Sequence, residues 1–266
     1  SVSQFIAQAL ESINKPCGVI GTMGAGRLCD LEMTGMTTPD PVTMQKLLAK
    51  FKREGCEYVA LEASSHALAQ GRLNSVDINV AVLTNLSRDH LDYHKTMANN
   101  AAPKKRLFDM ESVEYAVINA DDAFGTDVIS KLKSGVNLLT YGGAQNQVNI
   151  RAEQIAYKAD GVSFEAQVNA NKLPVSLPVL GEFNVDNILA AIGVLTALGL
   201  DQQQCAEAIN QCQAVSGRMQ TYTQPGQATV VIDYAHTPDA LHQALKTLQV
   251  HLPKTGQLWC VFGCGG

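Results

Sequence analysis

Two short apolar runs, Tyr58–Leu61 and Ile78–Leu83, each end in polar groups of the kind that bind metal and phosphate. The first empties into Glu62-Ala63-Ser64-Ser65-His66. The second empties into Thr84-Asn85-Leu86-Ser87-Arg88-Asp89-His90-Leu91-Asp92-Tyr93-His94. Short apolar runs bounded by polar turns read as buried strands. Strands that deliver a carboxylate and an imidazole at their C-terminal ends place a site in the crevice of an open parallel sheet. The plainer alternative is a pair of polar loops with no shared task.

The rest of the chain alternates in the same way. Cys17–Met23 reads as a strand, and Asp40-Pro41 as an N-cap and first helical proline opening a helix to about Glu54. Strands over 57–62 and 78–84 follow, then a helix near 101–110, strand 115–119, helix 122–133 and strand 137–141. That order predicts an α/β fold with a mainly parallel sheet. From about 148 to 180 the pattern becomes short and alternating, with turns at Asp160-Gly161 and Asn169–Asn171, which predicts an antiparallel subdomain. Helices are expected over 184–199 and 201–214. A strand–strand–helix–strand run then begins near Gly217 and includes the apolar stretch Leu258–Phe262, so a domain boundary is placed between residues 216 and 217. Residues 1–13 form an amphipathic helix with no strand ahead of it, and the last strand runs into Gly263-Cys264-Gly265-Gly266. The expectation is an interior piece of a longer protein.

Composition narrows the function classes. A net charge of −5 with no Lys/Arg stripe argues against a general nucleic-acid binder, although a local basic pocket for an anionic small molecule is still allowed. No apolar run reaches the ~20 residues of a membrane span. The seven cysteines include no C-x-x-C pair, which leaves zinc and redox motifs unsupported. Reduced, mostly buried thiols and a cytoplasmic setting are expected.

Seven motifs occur in sequence order: Thr37-Thr38-Pro39-Asp40, Glu62–His66, Asn85–His94, Asn119-Ala120-Asp121-Asp122, Gly181-Glu182-Phe183-Asn184-Val185-Asp186-Asn187, Ser216-Gly217-Arg218-Met219 and Asp233–Ala240. Together they resemble the Mur ligases of peptidoglycan synthesis, most closely the branch that adds the third amino acid of the peptide stem. The resemblance covers essentially the whole chain. It implies a central ATP-binding ligase domain over 1–216, without its first strand and phosphate loop, and the start of a Rossmann-like C-terminal domain over 217–266. It also implies ATP as co-substrate, Mg²⁺ as cofactor, and UDP-MurNAc-L-Ala-D-Glu and an amino acid, with meso-diaminopimelate preferred to lysine, as partners. A monomer is expected.

Site roles follow from the same resemblance. Glu62, His90 and Lys104 match the metal-binding and catalytic positions, with Lys104 matching a lysine that the family carries as a carbamate. Pro103 departs from the family pattern beside it, and a proline there suits only a first helical turn or a kink. Thr37, Thr38, Ser64, Gln70 and Arg72 match contacts to the UDP-MurNAc-dipeptide. Asn184 and Asn187 match contacts to adenine, and Arg218 and Asp233 contacts to phosphate and ribose. A capping carboxylate at Glu62, a hydrogen-bonded neighbour at His90 and a surface lysine at Lys104 are the competing readings.

Other classes stay open. One is a folylpolyglutamate-type or other Mur ligase, and another a metal-dependent hydrolase, which would need a further metal-bound His or Asp at a strand end. A third is a non-catalytic nucleotide-binding homologue. Without a phosphate loop to cradle the triphosphate, this exact polypeptide is expected to bind ATP very weakly. Calorimetry showing micromolar, Mg²⁺-dependent affinity would overturn that expectation.

Overall fold

The computed structural model describes residues 1–86, 97–143, 147–253 and 255–263. It opens with α1 (Val2–Ser12), whose Phe5, Ile6, Ala9 and Leu10 are buried on one stripe. Strand β1 (Cys17–Gly21) then pairs antiparallel with β2 (Gly24–Arg27), and β2 with β3 (Asp30–Glu32). Helix α2 (Pro41–Arg53) starts where the sequence places it. The Asp40 carboxylate accepts from the Val42 and Thr43 N–H groups, and Pro41 occupies the first turn. Strand β4 (Tyr58–Leu61) lies parallel to β1, and the short helix α3 (Ser65–Ala69) is capped by Ser64.

Strand β5 (Val80–Leu83) begins a second sheet. Helix α4 (Met97–Phe108), β6 (Tyr115–Asn119), α5 (Ala123–Ser130) and β7 (Asn137–Tyr141) follow, and β5, β6 and β7 pair in parallel. Strands β8 (Ile150–Lys158), β9 (Gly161–Val168) and β10 (Asn171–Leu177) extend this sheet as antiparallel hairpins, the expected subdomain. Helices α6 (Glu182–Ala197) and α7 (Gln202–Asn210) complete the region. The parallel strands therefore fall in two hydrogen-bonded sheets, ordered β3-β2-β1-β4 and β10-β9-β8-β7-β6-β5.

Consecutive strand residues face opposite sides of a sheet, so each strand feeds two cores. In β6, Val117 joins α1, α6 and α7, whereas Ala116 and Ile118 join Met44 and Phe51 of α2 and Leu107 and Phe108 of α4. Helix α6 is apolar nearly all round, as a helix sandwiched between sheet and helices must be, and eleven of its residues are buried. At Gly193 a Cβ would lie 2.6 Å from Val117 Cγ1, so glycine lets this helix sit close to the sheet.

Two expectations need correction and one is narrowed. Pro103 lies inside α4, which rules out the first-turn setting of the two expected for it. Its missing N–H forfeits the bond to the Asn99 carbonyl, and burial of Leu107 and Phe108 in the core holds the helix beyond it. Leu258–Phe262 forms no strand; Trp259, Val261 and Phe262 are exposed. After residue 217 the described strands are β11 (Gln220–Tyr222) and β12 (Val230–Ile232), an antiparallel pair followed by α8 (Pro238–His251), and a strand without a hydrogen-bonding neighbour has nothing to hold it. Burial of the cysteines is also less general than expected. Cys17, Cys205 and Cys212 are buried, but Cys29 and Cys260 are exposed.

Candidate functional site

Glu62 follows β4 directly, and the β1–β4 register, Ile20 beside Leu61, brings Gly21 and Thr22 against it. Its Oε2 accepts from the Thr22 backbone N–H at 3.0 Å and the Thr22 hydroxyl at 2.8 Å, while Oε1 accepts from the Ser3 hydroxyl at 3.0 Å. Burial pushes the Glu62 carboxyl up, and the Thr22 N–H and the Thr22 and Ser3 hydroxyls oppose that by favouring the ionised form. The result is a carboxylate fixed in its ionised form at a strand end. Sequence reasoning missed Thr22 and Ser3, since nothing local marks residues 40 and 59 positions away as partners.

Gly21 admits this carboxylate. A Cβ there would lie 2.7 Å from Glu62 Cδ. Gly21→Ala should therefore displace Glu62 and, if Glu62 reaches the reacting groups, lower kcat up to about 100-fold, because a misplacement of ~1 Å can cost that much. Unchanged kcat in a folded Gly21→Ala enzyme would remove Glu62 from the reaction.

A second group lies on the other side of Glu62. Thr38, 1% exposed, donates its hydroxyl proton toward the Glu62 carbonyl at 2.6 Å, and its oxygen accepts the Ser64 N–H at 3.0 Å. The Thr37 and Thr22 hydroxyls are 3.2 Å apart. Arg72 donates twice to Gln70 Oε1 and once, at 2.7 Å, to the Thr38 carbonyl. Thr37, Thr38, Ser64, Gln70 and Arg72 are thus brought together, with Gln70 fixing the plane of the guanidinium fork.

A cavity of about 1160 Å³ runs between the facing edges of β4 and β5. Its lining includes the apolar Val59, Leu61, Val80, Val82 and Ile6, and also Glu62, Lys104, Asn187, Arg218 and Asp233. Five expected site residues, drawn from α4, α6 and the segments beside β4, β11 and β12, share one cavity. Thr22, Thr84 and Asn85 line it too. His90 falls outside the described residues.

Asn184 is 3% exposed and does not line the cavity; its Nδ2 donates to the Leu180 carbonyl at 2.8 Å. Asn187 Nδ2 donates to Asn184 Oδ1 at 3.1 Å, so the inner amide orients the outer one. Arg218 stacks over the Tyr234 ring at 5.5 Å. Both Asp233 oxygens already accept backbone N–H groups, from Met219 at 3.0 Å and Ala235 at 2.9 Å, which ties the turn carrying Arg218 to the end of β12.

Asp186, beside these amides, has its carboxyl pushed up from 3.8 to about 6, by burial first and then by Asp121 and Glu182. Between those pH values the folded protein holds a proton that the unfolded chain has released, so stability falls as pH rises through that window. Asp186→Asn should therefore stabilise the protein at pH 7.5 by about 1–2 kcal/mol, discounted for partial exposure, and by almost nothing near pH 3.5. Urea unfolding at the two pH values measures this; equal effects at both would rule the account out.

Mg²⁺ takes hard oxygen ligands, keeps several waters and is usually held by one or two carboxylates plus substrate phosphates. The ionised Glu62 carboxylate fits such a role. Among the described residues no group of three or more His, Cys, Asp and Glu is placed to hold a metal ion, so a closed protein cage is not what these residues offer. Likewise, no helix among the described residues is long and apolar enough to cross a membrane.

Comparison with known proteins places the chain. The Mur ligase middle domain matches residues 1–195, and the glutamate ligase domain of Mur ligases matches residues 217–266. The chain is 41% identical over 267 residues to the UDP-N-acetylmuramoyl-L-alanyl-D-glutamate–2,6-diaminopimelate ligase of Alkalilimnicola ehrlichii, covering 100% of this chain and 53% of that protein. It is 40% identical over 268 residues to the ligase of the same name from Neisseria meningitidis serogroup B, covering 100% and 54%. A solved structure of a ligase of that name superposes with a TM-score of 0.87 at 40% identity, over 100% of this chain and 54% of the other. UDP-N-acetylmuramoylalanyl-D-glutamyl-2,6-diaminopimelate–D-alanyl-D-alanyl ligase from Acinetobacter baumannii, at 19% identity, 94% and 52% coverage and a TM-score of 0.73, shares the fold. The chain spans about half the length of the curated relatives it matches.

Proposed function

The chain belongs to the Mur ligase family, and on that premise we propose that it forms the catalytic middle of a longer ATP-dependent ligase. That enzyme joins an amino acid, meso-diaminopimelate by likeness to the named relatives, to UDP-MurNAc-L-Ala-D-Glu. The division at 216/217 is part of the same reading. The observation that carries it is the single cavity shared by Glu62, Lys104, Asn187, Arg218 and Asp233.

Amide formation from a carboxylate requires activation, and ATP supplies it by transferring its γ-phosphoryl group to give an acyl phosphate. The amine then attacks the acyl carbon, releasing phosphate and leaving ADP. The main obstacle is bringing an anionic carboxylate to a polyanionic triphosphate, which requires local positive charge. Mg²⁺ would supply it, held by Glu62, His90 and Lys104 as its carbamate. Lys104 joins this set only after its neutral amine adds CO₂ and loses a proton, since an ammonium would repel the ion. Thr22 and Ser3 keep Glu62 ionised and aimed. Asn187, oriented by Asn184, offers its amide to adenine; Asp233 reaches ribose and Arg218 phosphate. Arg72 meets the UDP-MurNAc-dipeptide bidentately, and Thr37, Thr38, Ser64 and Gln70 line the approach.

A coupled assay of the complete ligase, with and without Mg²⁺, tests this. ADP and phosphate should appear one for one with amide bonds. Release of AMP and pyrophosphate would overturn the acyl-phosphate route.

A further inference from the structure

One buried histidine has no part in the ligase chemistry assigned to the cavity. His251, the last residue of α8, is 7% exposed. Its Nδ1 lies 2.6 Å from the Lys158 carbonyl at the end of β8, and its Nε2 lies 2.9 Å from the Gly181 N–H. A carbonyl only accepts and a backbone N–H only donates. The two partners therefore fix the neutral tautomer with its proton on Nδ1. Tyr157 packs edge-on against the ring at 5.3 Å.

The Gly181 N–H belongs to the same peptide group as the Leu180 carbonyl, which accepts from Asn184 Nδ2. A single peptide plane is thus held at its N–H by His251 and at its oxygen by Asn184. Asn184 in turn holds Asn187, whose side chain reaches the cavity. Gly181 has φ +97°, and a Cβ there would come within 2.5 Å of Thr247 Cγ2, one helical turn before His251. Leu180, Met219 and Ala244 form a small core that presses α8 onto the same peptide.

We infer that His251 is a positioning residue for the nucleotide: through the Leu180–Gly181 peptide it sets the orientation of Asn184 and Asn187, linking α8 to the adenine contact. This rests on the reading of Asn187, oriented by Asn184, as the adenine contact. The residue touches no reacting atom. Its effect belongs in ATP binding and not in the chemical step.

Two near-isosteres separate the two bonds. In His251→Gln, Oε1 replaces Nε2 as the acceptor for Gly181, whereas in His251→Asn, Nδ2 replaces only the donor to Lys158. In the complete ligase, His251→Asn should raise the KM for ATP about five- to tenfold, as loss of one buried hydrogen bond allows, with kcat within about twofold. His251→Gln should retain most of the affinity, and Asn187→Ala should raise the KM at least as much as His251→Asn. If Asn187→Ala leaves the KM for ATP unchanged, the adenine reading fails and this inference fails with it. If Asn187→Ala raises it but the two His251 variants behave alike, the positioning role alone is overturned. The wild-type protein gives a reading independent of variant folding, because ¹⁵N spectra of His251 must show a protonated Nδ1 and a bare Nε2. The opposite tautomer would also overturn the proposal.

Discussion

Glu62→Gln in the complete ligase should lower kcat by about 10²–10³ while leaving the thermal midpoint nearly unchanged. Glutamine keeps the volume and an acceptor for the Thr22 N–H and hydroxyl, the two bonds that anchor Glu62 Oε2 at 3.0 and 2.8 Å. What it loses is the fixed negative charge. A neutral amide oxygen is a weaker ligand for a hard divalent cation, so the Mg²⁺ concentration for half-maximal rate should rise along with the fall in kcat. Glu62→Ala should fall further, because it also strands the Thr22 donors. A Glu62→Gln enzyme with kcat within a few-fold of normal and an unaltered Mg²⁺ titration would reduce Glu62 to a strand-end cap.

Lys104→Ala should cost a similar ~10²–10³ in kcat with the fold intact, through loss of a preorganised anionic ligand. Lys104 shares the cavity with Glu62, and its neighbour Lys105 is not among the cavity residues, which makes Lys105→Ala the natural control. That control should stay within about twofold, as substitutions away from packed or charged machinery usually do. If Lys105→Ala were the damaging change, the alignment across Pro103 would be wrong. Acetate gives a sharper reading. A small carboxylate entering the space left by Lys104→Ala returns an anionic oxygen, so partial recovery with sodium acetate but not sodium chloride would support the carbamate. No recovery would count against it.

The sequence determined by itself those features that are local or periodic. Asp40-Pro41 starts α2 because a side-chain oxygen and a fixed φ act within one turn. Strands β6 and β7 fall at 115–119 and 137–141, where the apolar runs are bounded by polar residues. The β8–β10 hairpins follow from period-two alternation, and the order of these elements implies the α/β class, as found. The site residues were legible only as ordered motifs, since no spacing in the chain says that Glu62, Lys104, Asn187, Arg218 and Asp233 line one cavity.

The tertiary structure alone decided the rest. The β2–β3 hairpin has no apolar alternation to announce it. It exists because Gly24 and Gly26, both at positive φ, let the backbone approach the carbonyls of Glu32 and Asp30 more closely than a side chain permits. Pro103 rides inside α4 because Leu107 and Phe108 bury in a core built by other strands. Leu258–Phe262 has the composition of a strand but pairs with no strand among the described residues. Thr22 meets Glu62, and His251 meets Gly181, across forty and seventy residues. Propensity and periodicity act within a few residues of chain, whereas these contacts are set by which strand ends and helix faces packing brings together.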